Sequence, residues 1–156
     1  MLRSSKIKPF LWFDTEAEEA AKFYTSVFRS SSMGAVARFP EGSPRPAGMA
    51  MTVEFELEGQ TFVALNGGPE FKFTEAVSFA IECADQAEID YYWEKLTDGG
   101  TPVQCGWLKD RYGVSWQVVP KDIRKYFENP SKAARVMQAL LPMVKLDVRT
   151  LEEAAR

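Results

Sequence analysis

CGWLKDRYGVSWQVVP, residues 105–120, contains two aromatic runs on either side of an Asp-Arg-Tyr-Gly turn. The carboxylate of Asp110 can accept hydrogen bonds from the backbone two residues further on, and Gly113 supplies the positive φ that such turns often require. These features predict a hairpin with strands at Trp107–Leu108 and Val114–Val119.

Gln117 is a polar residue in the middle of the second strand of this hairpin. Side chains alternate between the two faces of a strand, so Gln117 shares one face with Ser115 and Val119. Trp116 and Val118 share the other face. Gln117 therefore either contacts a ligand or points to solvent with Trp116 inward, and we favour the ligand contact.

Length and composition indicate one domain spanning residues 1–156. The 156 residues are 46% hydrophobic and 13% aromatic, which is enough to bury roughly 70% of the surface of the unfolded chain. The 19 basic and 22 acidic side chains leave a net charge of −3, and no block of Lys and Arg provides the positive surface that a nucleic acid needs. We therefore expect no nucleic-acid partner.

The N-terminal residues and the cysteines indicate the compartment. The uninterrupted apolar run, Pro9–Phe13, is too short for the core of a signal peptide or for a membrane span. Cys83 and Cys105 are too few for a disulfide framework, which a chain of this size does not need. We expect a cytoplasmic protein with no membrane partner.

The first half of the chain, module one at about residues 7–69, is predicted to begin with a strand at Ile7–Phe13 and a helix that ends near Arg29. Thr15 and Glu18 have the spacing of a capping box, in which both side chains satisfy backbone N–H groups at the start of the helix. Three further strands are predicted in this half: Met33–Phe39, Met49–Leu57 and Gln60–Leu65.

The second half, module two at about residues 73–120, repeats the same order. A strand is predicted at Val77–Cys83, followed by a helix with Asp85 as its N-cap and Gly99–Gly100 as its stop. Phe10 lies 69 residues before Phe79, so the strand and the helix recur at nearly one spacing. The sequence therefore predicts two βαβββ modules, the second ending in the hairpin of residues 105–120.

Residues 121–156 form a predicted C-terminal helical tail outside the repeat. Asn129 and Pro130 are typical of a helix start, with proline at the first helical position. An apolar stripe follows on this helix: Ala133, Met137, Leu140 and Leu141. The stripe fits packing on either half of the chain or on another subunit.

Several segments together carry a family resemblance: PFLWFD, FYTSVF, ALNGGPEF, SFAIECADQAEID, CGWLKDRYG and SWQVVP. In their order and spacing the chain resembles the PhnB-like family of the vicinal oxygen chelate (glyoxalase/bleomycin-resistance) superfamily over about residues 7–150. The resemblance implies an α+β fold of two βαβββ modules with curved mixed sheets, which form glyoxalase-like half-barrels, and a C-terminal helical tail. It also implies a homodimer. That superfamily includes metal-dependent enzymes and metal-free drug binders, so the fold does not fix the function.

The resemblance also locates the positions of a metal site. Ser78 occupies the position at which the second module usually offers a His, and Gln117 the position at which it offers a Glu. The corresponding positions of the first module are near Pro9 or Phe10 and near Ala64 or Asn66. The chain contains no His, and neutral oxygens bind divalent cations weakly. We expect no metal and no cofactor; the alternative is a metal-dependent isomerase, lyase or dioxygenase with atypical ligands.

The same face of the last strand predicts the ligand-binding residues. Gln117 is the central polar group, Ser78 faces it, and Asn66 is the polar contribution of the first module. Four aromatic residues are expected to form the apolar wall: Phe10, Trp12, Trp107 and Tyr112. Such neutral groups favour an uncharged or zwitterionic small molecule, and the absence of His excludes a Ser-His-Asp or Cys-His catalytic arrangement. No catalytic residue is assigned.

Overall fold

The computed structural model describes residues 6–156, and the chain divides into two units with the boundary between Lys72 and Phe73. The first unit contains one helix and four strands: β1 (Phe10–Phe13), α1 (Ala17–Val27), β2 (Ser31–Arg38), β3 (Ala50–Leu57) and β4 (Gln60–Asn66). The strands form an open sheet in the order β1-β4-β3-β2, with β1 parallel to β4 and the other pairs antiparallel. β1 is shorter than predicted, since it begins only after Pro9, which has no N–H to donate.

The second unit repeats this arrangement. Its elements are β5 (Ser78–Cys83), α2 (Gln86–Thr97), β6 (Thr101–Pro102), β7 (Trp107–Lys109) and β8 (Ser115–Pro120). The sheet order is β5-β8-β7-β6, with β5 parallel to β8 and the other pairs antiparallel. Two βαβββ modules with mixed sheets, the predicted α+β architecture, are thereby confirmed.

The tail belongs to the second unit. It contains a 3₁₀-helix (Ile123–Phe127) and two α-helices, α3 (Pro130–Leu140) and α4 (Val148–Ala154). Asn129 caps α3 by accepting a hydrogen bond from the N–H of Ser131 at 3.0 Å, as its sequence position predicts. Sequence reasoning missed α4, which is seven residues long and buries only Leu151.

The apolar side of α3 differs from the predicted stripe. Val136, which is fully buried, packs in one cluster with Leu146, Leu151 and Val119 of the same unit. Two residues of the predicted stripe are exposed: Met137 by 42% and Leu141 by 55%. The tail therefore packs on the second half of its own chain. The buried side of α3 is centred on Val136, which the predicted stripe did not include.

Contacts between backbone segments also hold the tail in place. The N–H groups of Cys105 and Gly106 donate to the carbonyl oxygens of Met143 and Val144, each at 2.8 Å. The side chain of Gln86, at the start of α2, donates to Leu146 O at 3.0 Å and accepts from the N–H of Val148 at 2.8 Å. Because buried backbone groups need such partners, this segment is integral to the second unit.

α1 covers one face of the first sheet. The ring of Tyr24 stacks on Phe55 with 5.9 Å between centroids, and Phe55 stacks on Phe62 at 5.4 Å. Ala20 and Ala21 are fully buried, and their small side chains let the helix approach the sheet closely. Phe10, Trp12, Val63 and Leu65 lie on the opposite face by strand alternation.

The capping box predicted for α1 is wrong. Its N-cap residue is Glu16, which makes no side-chain capping bond, and Glu18 pairs with Arg38 instead. The N–H of Ala17 donates to Oδ1 of Asn66 on β4 at 2.9 Å. A buried amide from a distant strand therefore does the work that local side chains were expected to do. α2 is capped as predicted, with Asp85 accepting from the N–H of Glu88 at 2.9 Å.

The β7–β8 hairpin forms around a buried carboxylate. Asp110 is 3% exposed and accepts from the N–H of Tyr112 at 2.8 Å, the N–H of Val114 at 3.1 Å and the indole of Trp116 at 2.9 Å. Gly113 has a φ of 88°, as the turn requires. The interpretation of Asp110 and Gly113 as turn-forming residues is confirmed, while the indole donor is a third contact that the sequence did not indicate.

Within residues 6–156, no helix combines the length and the apolar character needed to cross a membrane.

Candidate ligand-binding site

The two faces of the second sheet differ in character. Trp116 and Val118 on β8 are buried, as are Ile81 on β5 and Leu108 on β7. Because the buried side of α2 is also apolar, we assign this face to the contact with α2, which packs against β7 and β8. Gln117 points to the other face, which we call the helix-free face of the second sheet because α2 does not cover it. At the far end of this face, Val119 packs on Val136 and Leu151 of the tail helices.

Gln117 and Ser78 meet on this helix-free face. Nε2 of Gln117 donates to Oγ of Ser78 at 2.9 Å, and both residues are half-buried. Trp107 is the register partner of Gln117 on β7 and so shares its face. The structure brings together three of the residues that the sequence assigns to the site.

The hydrogen bond leaves two groups of this pair available. Oε1 of Gln117 accepts no hydrogen bond within the described part of the chain, and the hydroxyl proton of Ser78 is not used because Ser78 acts there as acceptor. One acceptor and one donor therefore remain side by side on a half-buried surface. Both are neutral.

Ser115 also lies on this face and was not assigned to the site from the sequence. It is the register partner of Ser78 and is 1% exposed. Its Oγ has no hydrogen-bond partner. The alternation that placed it beside Gln117 was visible in the sequence, but its burial was not.

The charged residues near the hairpin are committed to other contacts. Lys109, the β7 partner of Ser115, forms an ion pair with Glu75, and the hydrogen bond from Lys109 is the main reason that the pKa of Glu75 is lowered. Arg111 pairs with Asp98 at 3.4 Å on the surface. These pairs leave no free strong base beside Gln117.

The aromatic residues of the first unit occupy the helix-free face of the first sheet. Trp12 donates from its indole to Gly68 O at 2.9 Å and meets Phe71 edge-on at 4.9 Å. A Cβ on Gly67 would lie 2.3 Å from the Trp12 ring, so only glycine allows the ring to lie against this loop. Phe10 is 59% exposed. Trp12 is thus held rigidly, whereas Phe10 is an open apolar surface.

Asn66 lies on the opposite side of the first sheet from these aromatic residues. It is 2% exposed, its Oδ1 accepts from Ala17, and its Nδ2 donates to Ala50 O at 2.9 Å. Its amide thus ties α1 to the sheet, and the structure does not bring it onto the face of Phe10 and Trp12. Ala64, two residues earlier and fully buried, lies on the same helix-covered side.

Tyr112 lies in the turn between β7 and β8 and is half-buried. Its backbone N–H is fixed by Asp110. Since it is outside both strands, alternation does not assign its ring to either face of the sheet.

The residues at the metal positions of the fold do not fit a divalent ion. Ser78 and Gln117 are neutral and bonded to each other, and the face of Phe10 in the first unit carries Val63 as its register partner. No group of three or more His, Cys, Asp or Glu side chains converges anywhere in residues 6–156. Divalent cations favour carboxylates, imidazoles or thiolates, and the residues at these positions offer none of them. Glu54, the β3 partner of Val63, forms an ion pair with Lys8.

Neither cysteine has the environment of a nucleophile. Burial, with smaller contributions from Glu88 and Asp85, raises the pKa of Cys83 to about 12. The thiol of Cys105 is 3.7 Å from the carbonyl oxygens of Leu140 and Leu141, to which it donates. Cys83 is therefore a neutral core thiol, and Cys105 contacts the tail.

Several solved structures have a fold similar to that of this chain. A PhnB protein from Bacillus cereus is 36% identical to the chain and superposes with a TM-score of 0.68, covering 74% of this chain and 99% of its own. A protein from Pseudomonas aeruginosa is 22% identical with a TM-score of 0.61, over 75% of this chain and 98% of its own. The fosfomycin resistance protein FosX from Listeria monocytogenes is 12% identical with a TM-score of 0.56, over 81% of this chain and 98% of its own. The last two show the fold alone.

The two βαβββ modules have the fold of the vicinal oxygen chelate superfamily. The family model described as 3-demethylubiquinone-9 3-methyltransferase matches residues 5–119. The chain therefore belongs to this PhnB-like family. Comparison with curated protein sequences gave no match.

Proposed function

We propose that this protein binds an uncharged or zwitterionic small molecule in the cytoplasm, without a metal ion, through the helix-free face of its second sheet. The observation that carries the proposal is the hydrogen bond between Gln117 and Ser78 on a half-buried face beside Trp107. A polar pair with an unused donor and acceptor next to an aromatic ring is the usual composition of a small-molecule site.

The chemistry of the pair supports binding rather than catalysis. Each neutral hydrogen bond contributes about 0.5 to 1.5 kcal/mol net, which orients a ligand but supplies neither a strong base nor a nucleophile. The adjacent cation, Lys109, is paired with Glu75. We therefore propose a binding or sequestering protein.

The family model's description raises methyl transfer, which we do not propose. The loop that leads from β1 to α1 is Asp14-Thr15-Glu16, and Ala84-Asp85 leads from β5 to α2. Neither contains the glycine-rich helix entrance that cradles a nucleotide-like cofactor at a helix N-terminus. Isothermal titration with S-adenosylmethionine is expected to show no micromolar binding, and such binding would contradict this view.

The site is tested by identifying what the protein carries and by removing the polar pair. Mass spectrometry of small molecules released from the purified protein is expected to identify a ligand that is retained by the wild type and lost from Gln117→Ala and Ser78→Ala. Gln104→Ala, a change of the same kind at an exposed position of the same unit, is the matched control and should retain it. Equal retention by all variants would place the ligand elsewhere.

Elemental analysis separates this proposal from its alternative. Protein purified without chelators is expected to contain less than about 0.1 equivalent of any divalent transition metal, because the donor set has no charged ligand. A stoichiometric metal would favour a metal-dependent isomerase, lyase or dioxygenase with atypical ligands.

We also propose a homodimer. Three apolar side chains of the tail remain substantially exposed, Met137, Leu141 and Val144, and such exposure marks contact surfaces when it is contiguous. Light scattering at tens of micromolar is expected to give twice the monomer mass for the wild type and the monomer mass for Leu141→Glu. A wild-type mass equal to that of the monomer would refute the dimer.

A further inference from the structure

Ser115 is a buried hydroxyl that the protein leaves unsatisfied. It is 1% exposed and its Oγ has no hydrogen-bond partner. In residues 6–156 only one other buried side-chain atom shares this condition, Nε of Arg45, whose guanidinium still donates through Nη2 to Asp14 O at 3.0 Å. An unpaired buried hydroxyl is destabilising, and native proteins normally pair such groups. The missing partner of Ser115 therefore requires an explanation.

The position of Ser115 places its hydroxyl next to the Gln117–Ser78 pair. Ser115 lies two residues before Gln117 on β8, so the two side chains share a face and are separated by roughly 7 Å along the strand. Ser78 is its register partner on the neighbouring strand, at a spacing of about 4.8 Å. Two hydroxyl groups and one amide thus form a small triangle on the helix-free face.

The hydrogen-bonding capacity of this triangle is specific. Both hydroxyl protons are unpaired, since Ser78 acts only as an acceptor toward Gln117 and Ser115 has no partner. Because Oγ of Ser115 is closed to solvent in the free protein, a ligand reaches it only when the neighbouring side chains move aside. Oε1 of Gln117 is available as an acceptor. A ligand that fits presents an acceptor to the two serines and a donor to Gln117.

We propose that Ser115 is a third ligand-contacting residue of this site, and that the site takes small molecules with a hydrogen-bond acceptor and donor side by side on an apolar body, as in a primary carboxamide. This inference rests on the proposed small-molecule function. The ligand's apolar body lies against Trp107, which shares the face. A carboxylate fits less well, because it offers no donor to Oε1 of Gln117 and the neighbouring Lys109 is already neutralised by Glu75.

Three probes of one shape test the ligand class: benzamide, benzoate and acetophenone. Benzamide has the acceptor and the donor, whereas benzoate and acetophenone have acceptors only. Titrations followed by tryptophan fluorescence and by the side-chain amide NMR signals of Gln117 are expected to show millimolar binding of benzamide, at least fivefold tighter than that of the other two. Equal binding of all three, or no binding of benzamide, would overturn the proposed ligand class.

Ser115→Ala tests the residue. The variant is expected to bind benzamide about three- to tenfold more weakly, in line with the loss of one neutral hydrogen bond. Without the probe, its urea midpoint should be equal to or higher than that of the wild type, because an unsatisfied buried hydroxyl has been removed. A lower midpoint together with unchanged benzamide affinity would show that Ser115 has a structural role only.

Two further variants separate failure of this inference from failure of the proposed function. If Gln117→Ala abolishes benzamide binding and Ser115→Ala does not change it, the role of Ser115 is refuted and the site at Gln117 stands. If benzamide binds equally to the wild type, Gln117→Ala and Ser78→Ala, the proposed site itself is wrong. Gln104→Ala should behave as the wild type throughout.

Discussion

The two modules share one strand order but differ on their helix-free faces. In module one the first strand ends at Phe13, which pairs with Asn66; in module two it ends at Cys83, which pairs with Pro120. Asn66 and Pro120 are therefore equivalent positions. Val63 and Gln117, each three residues earlier on the same strands, are equivalent as well. The face of module one carries Thr61 at the equivalent of Ser115 and Glu54 beside Val63, but it has no amide at the equivalent of Gln117. The repeat therefore conserves the scaffold, and the hydrogen-bonded pair of Gln117 and Ser78 belongs to the second copy.

The helix starts differ between the modules in the same way. α2 is capped by Asp85, three residues before the N–H that it accepts. The first N–H of α1 is accepted by Asn66, 49 residues away in sequence. One cap is local and the other belongs to the tertiary structure.

The largest effect is expected where the second module depends on a buried charge. Asp110→Ala removes an acceptor shared by two backbone N–H groups and the indole of Trp116. We expect the unfolding free energy, measured by urea denaturation, to fall by about 3 kcal/mol or more, since three donors lose their partner and two of these hydrogen bonds are buried. Asp98→Ala, at a side chain that is 80% exposed, is the control and should change stability by less than about 0.5 kcal/mol. Similar losses for both variants would contradict the structural role of Asp110.

The two helix caps give the next comparison. Asn66→Ala leaves the N–H of Ala17 and the carbonyl of Ala50 without their partner in a buried site, so we expect a loss of about 2 to 3 kcal/mol. Asp85→Ala removes an exposed cap, whose loss is expected to be about 1 kcal/mol. Urea denaturation of both variants measures the difference. An Asn66→Ala loss no larger than that of Asp85→Ala would show that water replaces the amide.

These two caps show which features of the fold could be predicted from the sequence. The repeat, the strand order, Asp85 and the Asp110 turn depend on neighbouring residues or on periodicity, and both are visible in one sequence. The role of Asn66 depends on pairing between β4 and the start of α1, which brings together residues far apart in the chain. Thr15 and Glu18 have the spacing of a capping box, but Glu18 forms an ion pair with Arg38 on β2 instead.

The candidate site follows the same division. Strand alternation predicted that Gln117 and Ser78 share a face, because that rule is local to each strand. The burial of Ser115 and the hydrogen-bond state of its hydroxyl depend on packing from several segments. The predicted stripe of α3 included the exposed Met137 and Leu141 and omitted the buried Val136 for the same reason, since contacts with Leu146 and Leu151 determine which side of α3 is covered.

Alkaline pH is expected to lower the stability of the second module through Cys83, whose equivalent in the first module is Phe13. Cys83 titrates with a folded pKa of about 12, raised mainly by burial, whereas Phe13 does not titrate. A raised pKa stabilises the fold below the unfolded value of about 8.5, and this contribution is lost as pH rises toward 12. Between pH 8 and 10 the wild type should therefore lose about 1 to 2 kcal/mol more than Cys83→Ala. Parallel pH profiles for the two proteins would contradict a buried neutral thiol.

The smallest change in stability is expected when the second face is made like the first. Gln117→Val installs the side chain that module one carries at Val63, and it removes the donor of the bond to Ser78. Ser78 is half-buried, so water can replace the lost partner, and valine suits a strand better than glutamine does. These contributions oppose each other, and we expect unfolding free energy to change by less than about 0.5 kcal/mol. The backbone amide NMR spectrum should shift only near β5, β7 and β8. Because the fold needs no polar group here, a near-neutral result would leave ligand contact as the reason for an amide at this position. A loss above about 2 kcal/mol would instead make Gln117 part of the scaffold, as Asn66 is in the first module.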